Sequence, residues 1–211
     1  MALEATHIRF AVDLQKKYGI KDPARYISGS IYPDSRYVTK IDRMATHPED
    51  YMSWDLKRID DFKKGWHAHL MADQIQFDVT RELLPQVFVG SQGQGGERWI
   101  KHTALKILQD LDDVKKFDIT YYLPFLDHPE NPNGENIKTI KQYNAMFQKM
   151  YAKPEVMSID GCYEMWRQFG IGDELAVKLK LQAEAYASDK VVMDAVPQIY
   201  PLMLAKANNP D

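Results

Sequence analysis

Residues 65–78 read GWHAHLMADQIQFD. The stretch lies inside a long apolar pattern of helical period. Ile59, Phe62 and Trp66 step along one face at three- and four-residue intervals, and Phe77 rejoins it eleven residues on. His69 and Asp73 fall on that same face, one turn apart. They place an imidazole and a carboxylate where the period calls for apolar side chains. Burying a carboxylate with no partner costs several kcal/mol, so such groups are usually paired or bound to metal. His67 lies about 200° around the helix from His69, which predicts a surface position for it.

Working outward, the rest of the chain shows the same period. Residues 7–18 predict a helix closed by Gly19, with His7 opening its apolar face. Asp22-Pro23 marks a cap and first turn, and a short helix over 23–31 runs into Pro33. Residues 34–53 predict a long loop, and a loop of that length in a compact domain usually has a task. The helix that carries GWHAHLMADQIQFD is predicted over 54–84, where Pro85 closes it. Residues 91–97 form a glycine-rich break. It is not a phosphate loop, since no strand precedes it and no Gly-Lys-Ser/Thr follows. Further helices are predicted over 97–114, 136–151, 155–169, 172–187 and 190–206, with Pro197 and Pro201 kinking or breaking the last. Residues 117–135 are aromatic and turn-rich, and with no second strand to pair with they read as irregular or helical. The expectation is one all-α domain over 1–211, with any metal site built mainly from 7–110.

Composition narrows the function. A chain of 211 residues can bury roughly 70% of its unfolded surface, so it needs no structural metal or disulfide to fold. Its 27 basic and 30 acidic residues leave a net charge of -3, and no basic run suggests a nucleic-acid duplex as partner. The single cysteine, Cys162, excludes an internal disulfide and a cysteine metal site, and its apolar helical surroundings predict a buried filler. No apolar segment reaches the ~18 residues of a membrane span, and the first residues lack a signal-peptide pattern. These features predict a cytoplasmic protein.

Six histidines occur, at 7, 47, 67, 69, 102 and 128. Taken singly, each reads as well as a satisfied core, turn or loop residue. Asp34 alone could cap the next element, and Asp73 could pair with a lysine or arginine. Imidazole and carboxylate together suit zinc, manganese or iron. The order His7, then Gly29-Ser30-Ile31-Tyr32-Pro33-Asp34, then Thr46-His47-Pro48, then Gly65 followed by His69 and Asp73, resembles the zinc-dependent phospholipase C family, which is related to the S1/P1 nucleases. The resemblance covers residues 7–78, about a third of the chain. It implies an all-α fold and hydrolysis of phosphate esters by a small metal cluster. It implies His7, Asp34, His47, His69 and Asp73 as ligands, with His102 as a further one. Three departures reduce the expected site to one or two ions, zinc first, with manganese or iron possible; one is that the chain offers Asp78 where the family has a further histidine after the His-x-x-x-Asp helix. Six residues precede His7, where the secreted enzymes use a processed terminal amine. His102 is followed at the fourth place by Lys106, where the family has a carboxylate.

The chemistry expected of such a site is hydrolysis of a small phosphate ester, phosphomonoester or phosphodiester, by metal-activated water. Asp34 would ligate and bridge, and Asp73 would ligate or orient the water. Arg36 and Lys40 are the candidate phosphate contacts, because guanidinium in particular matches phosphate bidentately. The competing reading is a non-catalytic helical metal-binding or interaction protein that keeps part of the site. An HD-type phosphohydrolase needs an adjacent His-Asp pair, and none occurs.

Overall fold

The computed structural model describes residues 4–209. Among the described residues the regular structure is helical throughout, with no strand, so the all-α expectation holds. The helices are α1 (Glu4–Tyr18), α2 (Pro23–Ile31), α3 (Arg36–Thr39), α4 (Arg43–Thr46), α5 (Asp61–Leu83), α6 (Glu97–Lys116), α7 (Ile137–Tyr151), α8 (Ile159–Gln168), α9 (Asp173–Ala187) and α10 (Lys190–Asn208). Short 3-10 turns cover Tyr32–Ser35, Tyr51–Ser53, Pro85–Phe88, Ile119–Asp127 and Pro154–Val156. Among the described residues no helix is long and apolar enough to cross a membrane.

Local chemistry sets the ends. Asp22 caps α2 through the Arg25 amide, Asn136 caps α7 through Lys138, and Asp189 caps α10 through Val191 and Val192. Each side chain satisfies an amide that the first turn leaves without a helical acceptor. The long helix starts later than its apolar period suggests, at Asp61 rather than residue 54. Asp55 turns the chain by accepting from the Lys57 amide at 2.9 Å, and Asp60 then caps through Lys63 at 2.9 Å. The predicted loop over 34–53 is also partly helical. Two single-turn helices occupy it, ended and restarted by Lys40 at φ 60° and by the Asp42 cap on Met44. At the other end of the chain, α10 runs unbroken through Pro197 and Pro201. Burial of Val196, Ile199, Tyr200 and Met203 offsets the hydrogen bonds those prolines cannot make.

The chain divides into two units. Unit I comprises His7–Ala72 and Phe117–Pro154. In it α2 packs on the 3-10 segment Ile119–Asp127, which also supports α7, and α3 packs on α7. Tyr32, Phe62, Trp66, Leu70 and Ile140 form a buried cluster, edged by Tyr51 and Trp54. Tyr26 donates to the Ala11 carbonyl at 2.8 Å and ties α2 to α1.

In unit I, α2 and α5 approach each other closely. A Cβ placed on Gly29 would lie 2.0 Å from the Phe62 carbonyl oxygen, and one on Gly65 would lie 1.9 Å from the Tyr26 carbonyl oxygen. The two helices therefore cross backbone to backbone through a reciprocal pair of glycines. This contact needs the missing side chain rather than any special dihedral angle.

Unit II comprises residues 4–6, 73–116 and 155–209. There α6 packs against α8, α9, α10 and the turn Pro85–Phe88. Its interior is unusually polar: Gln76 donates to Gln109 at 2.6 Å, and Thr6 donates through its hydroxyl to Asp113 at 2.7 Å and through its amide to Asp110 at 3.0 Å. Cys162 is fully buried in this unit, and burial pushes its thiol far above the usual range. That suits a filler and not a nucleophile.

Candidate metal centre

The glycine crossing sets the positions of two of the expected ligands. Asp34 follows Gly29 by five residues, through the turn that Pro33 imposes, and His69 follows Gly65 by one helical turn. Ligating atoms of His7, Asp34 and His69 all lie within 4.8 Å of one another, and all three residues are buried. His47 joins them from the end of α4, with Nε2 3.9 Å from Asp34 Oδ1. The His7 and His69 rings stack at 3.7 Å between centroids, and the His47 ring meets that of His69 edge-on at 5.6 Å. Residues 7, 34, 47 and 69 thus converge in unit I, from α1, a 3-10 turn, a loop and α5.

The hydrogen bonds behind the imidazoles set their tautomers. His69 Nδ1 lies 2.8 Å from the Ser30 carbonyl oxygen, which can only accept. The proton is therefore on Nδ1 and the lone pair on Nε2. His47 Nδ1 lies 2.9 Å from Thr46 Oγ1, whose own hydroxyl turns to the Arg43 carbonyl. This again assigns the proton to Nδ1 and the lone pair to Nε2. Trp66 Nε1 donates to the Thr46 carbonyl at 2.7 Å, so the residue one turn before His69 also pins the loop that carries His47. Such outer contacts orient imidazoles for a metal.

Asp34 is the anomaly. It is 1% exposed, yet neither carboxylate oxygen has a hydrogen-bond donor. An ionised carboxylate in that state costs several kcal/mol unless a cation compensates it. Its nearest ion-pair partner is the Nε2 edge of His47, which carries a lone pair in the tautomer assigned above. Two acceptors 3.9 Å apart compare with about 3.4 Å between neighbouring ligand atoms around a tetrahedral ion at zinc distances. The donor set of three imidazoles and one carboxylate suits zinc, manganese or iron. With ligand atoms of His7, Asp34 and His69 up to 4.8 Å apart, an ion of that class would need the widest pair to close by about an ångström.

Asp73 lies one turn beyond His69 on α5, in the part of the helix that belongs to unit II, where Oδ1 accepts from Lys106 Nζ at 2.9 Å. His102 also lies in unit II, with Nε2 3.3 Å from Thr80 Oγ1 and its ring beside Phe77 and Phe88. Burial, reinforced by the Lys106 ammonium, holds it well below the usual imidazole range. Arg36 lies over the Tyr37 ring at 4.0 Å, and Lys40 is exposed and bonds back to the Tyr37 carbonyl. Neither donates to Asp34, whose oxygens have no hydrogen bond. His128 is exposed.

His67 is buried, not superficial. It is 5% exposed, with Nδ1 3.0 Å from the Tyr18 hydroxyl and its ring among those of Tyr18, Tyr51 and Trp54. The face of α5 opposite His69 is covered by aromatic residues distant in sequence, and helical period cannot show that. Burial lowers the His67 pKa to about 4. A histidine lowered on folding contributes stability that is complete above its unfolded pKa of about 6.5 and is lost as pH falls toward 4. The ceiling is about 3 kcal/mol at ~1.4 kcal/mol per pH unit. Urea titrations between pH 7 and pH 4 are expected to show a His67→Phe variant losing less stability than the parent. Equal losses would mean that His67 titrates normally.

A scan of protein-family models and searches of curated proteins and of solved structures found no match to this chain.

Proposed function

We propose that the chain binds one divalent transition ion, zinc first, through His7, Asp34, His47 and His69, and that it hydrolyses small phosphate esters there. The observation that carries this is Asp34, a fully buried carboxylate with no hydrogen bond, surrounded by imidazoles. When bound, such an ion supplies Lewis acidity and makes water a nucleophile at neutral pH. The protein's part is placement. Ser30 and Thr46 hold two lone pairs toward Asp34, and the Tyr32, Phe62, Trp66, Leu70 and Ile140 cluster makes an apolar support that strengthens the local field. The family resemblance gives Asp73 the role of ligand or water-orienting carboxylate.

One observation favours a second reading, a helical metal-binding protein without turnover. The guanidinium expected to clamp phosphate, that of Arg36, is stacked on Tyr37. The two readings separate in one preparation. Protein purified without chelator is expected to carry about one equivalent of zinc, manganese or iron by elemental analysis, lost in a His69→Ala variant. It is also expected to cleave an aryl phosphomonoester or phosphodiester, with activity removed by chelator and restored by zinc. Bound metal with no turnover on either ester would select the second reading. No metal, with a melting temperature indifferent to chelator, would exclude both.

A further inference from the structure

In unit I, the loop over 131–136 reaches both the turn that carries Asp34 and the segment that carries His47. Its own bonds close it. Gly134 takes φ 78° and donates its amide to the Asn131 carbonyl at 3.0 Å, Asn131 Nδ2 donates to the Glu135 carbonyl at 3.0 Å, and the Asn133 amide donates to Glu135 Oε2 at 3.0 Å. Asn133 Nδ2 then lies 3.2 Å from the Ala45 carbonyl oxygen and 2.6 Å from the Tyr32 hydroxyl. A carbonyl can only accept, so the first contact fixes the orientation of the side-chain amide, and its second hydrogen goes to Tyr32. The Tyr32 hydroxyl is left to donate its own hydrogen to the buried Glu135 carboxylate. Tyr32 precedes Asp34 by two residues, and Ala45 precedes His47 by two. Other bonds hold these segments to helices: Tyr143 of α7 donates to the Ile31 carbonyl at 3.2 Å, and Trp66 of α5 to the Thr46 carbonyl at 2.7 Å. The Asn133 side chain ties the two segments to each other.

We infer that Asn133, with Glu135 behind Tyr32, is a positioning residue for the proposed metal centre, setting how far Asp34 stands from His47 and thereby the affinity for the ion. The inference rests on the metal reading given above and adds to the centre a segment remote from its ligands in sequence. The physical ground is the short range of coordination. Asp34 Oδ1 and His47 Nε2 stand 3.9 Å apart on separate segments, and a drift of about an ångström at either takes a donor out of bonding distance of an ion. Two segments bridged by one amide group drift less than two segments held only to different helices. Outer contacts that orient metal ligands typically carry about 10- to 100-fold in affinity. Asn133 acts through Tyr32 and the backbone at Ala45, which places its effect at the lower end of that range.

The test is calorimetric titration of zinc into the parent, Asn133→Ala and Asn131→Ala, with cobalt spectra at saturation as a second readout. Asn133 lies at the surface, so its truncation spares the buried cluster. Asn131→Ala is the structural control: it removes a bond inside the same loop, to the Glu135 carbonyl, and leaves those to Tyr32 and Ala45 in place. Asn133→Ala is expected to bind zinc about tenfold more weakly and to alter the cobalt spectrum, which reports coordination geometry rather than stability. Asn131→Ala is expected to match the parent in both. An Asn133→Ala protein with the parent's affinity and spectrum overturns the inference. So does an equal loss in Asn131→Ala, which would make the loop a general support of the fold. A parent that takes up no zinc sinks the metal centre and this inference together, whereas a zinc-binding parent with unaffected variants sinks the inference alone.

Discussion

In chelator, the Asp34→Asn protein is expected to melt above the parent, and in saturating zinc below it. The reversal follows from the two states of one carboxylate. Without an ion, Asp34 is buried and no donor reaches its oxygens, so its charge is a net cost to the fold. The neutral amide keeps the shape and removes most of that cost. A gain of about 2 kcal/mol is expected, or several degrees for a chain of this size, at roughly 2–4 °C per kcal/mol. With zinc the order inverts, because the amide is a far poorer ligand and cannot neutralise the ion. A 100-fold loss of affinity removes about 2.7 kcal/mol of ligand-linked stabilisation. Melting curves in chelator and in zinc, with calorimetric titration of zinc into both proteins, measure the effect. If the parent melts higher under both conditions, Asp34 is an ordinary buried acid and the metal centre is not there.

The helical periods were legible where helices are long. α6, α7, α9 and α10 lie where their apolar repeats place them, and α5 does so from Asp61 onward, because a repeat over four turns outweighs local noise. Single-turn helices such as α3 and α4 have no period to read, and their ends depend on Lys40 and Asp42 individually. The start of α5 failed for a related reason. Asp55 and Asp60 compete locally for backbone amides that an apolar repeat would assign to a helix. At the candidate site, the residues that converge, His7, Asp34, His47 and His69, were legible as an order of residue types along the chain. Their supports were not. The Ser30 carbonyl behind His69 is a backbone atom with no sequence signature, and the Trp66 bond to Thr46 spans 20 residues. The pairing of Lys106 with Asp73 spans 33 residues. From sequence it is visible only as a lysine at a position where a metal ligand would be expected.

Gly65→Ala is expected to destabilise the protein by about 3 kcal/mol and to weaken zinc binding at the same time. Local propensity alone predicts the opposite sign, since alanine in a helix interior is favoured over glycine by about 1 kcal/mol. Contact geometry decides against it. The new methyl would sit 1.9 Å from the Tyr26 carbonyl oxygen and 2.9 Å from the Ser30 amide nitrogen, both backbone atoms that no rotamer change can move. Relief requires α2 to withdraw from α5 by about an ångström or more, and overpacking of that kind typically costs 1–3 kcal/mol, occasionally more. The displaced segment includes Ser30, whose carbonyl holds the His69 tautomer, and leads directly into Asp34. Stability and metal affinity therefore fall together, because one crossing point sets both. Gly161→Ala is the control. Its Cβ would meet nothing closer than the Ser158 hydroxyl at 3.8 Å, so α8 should gain a few tenths to about 1 kcal/mol with zinc affinity unchanged. Urea unfolding and zinc titration of both variants supply the comparison. A Gly65→Ala protein as stable as the parent, with the parent's zinc affinity, would show that the glycine crossing does not build the site.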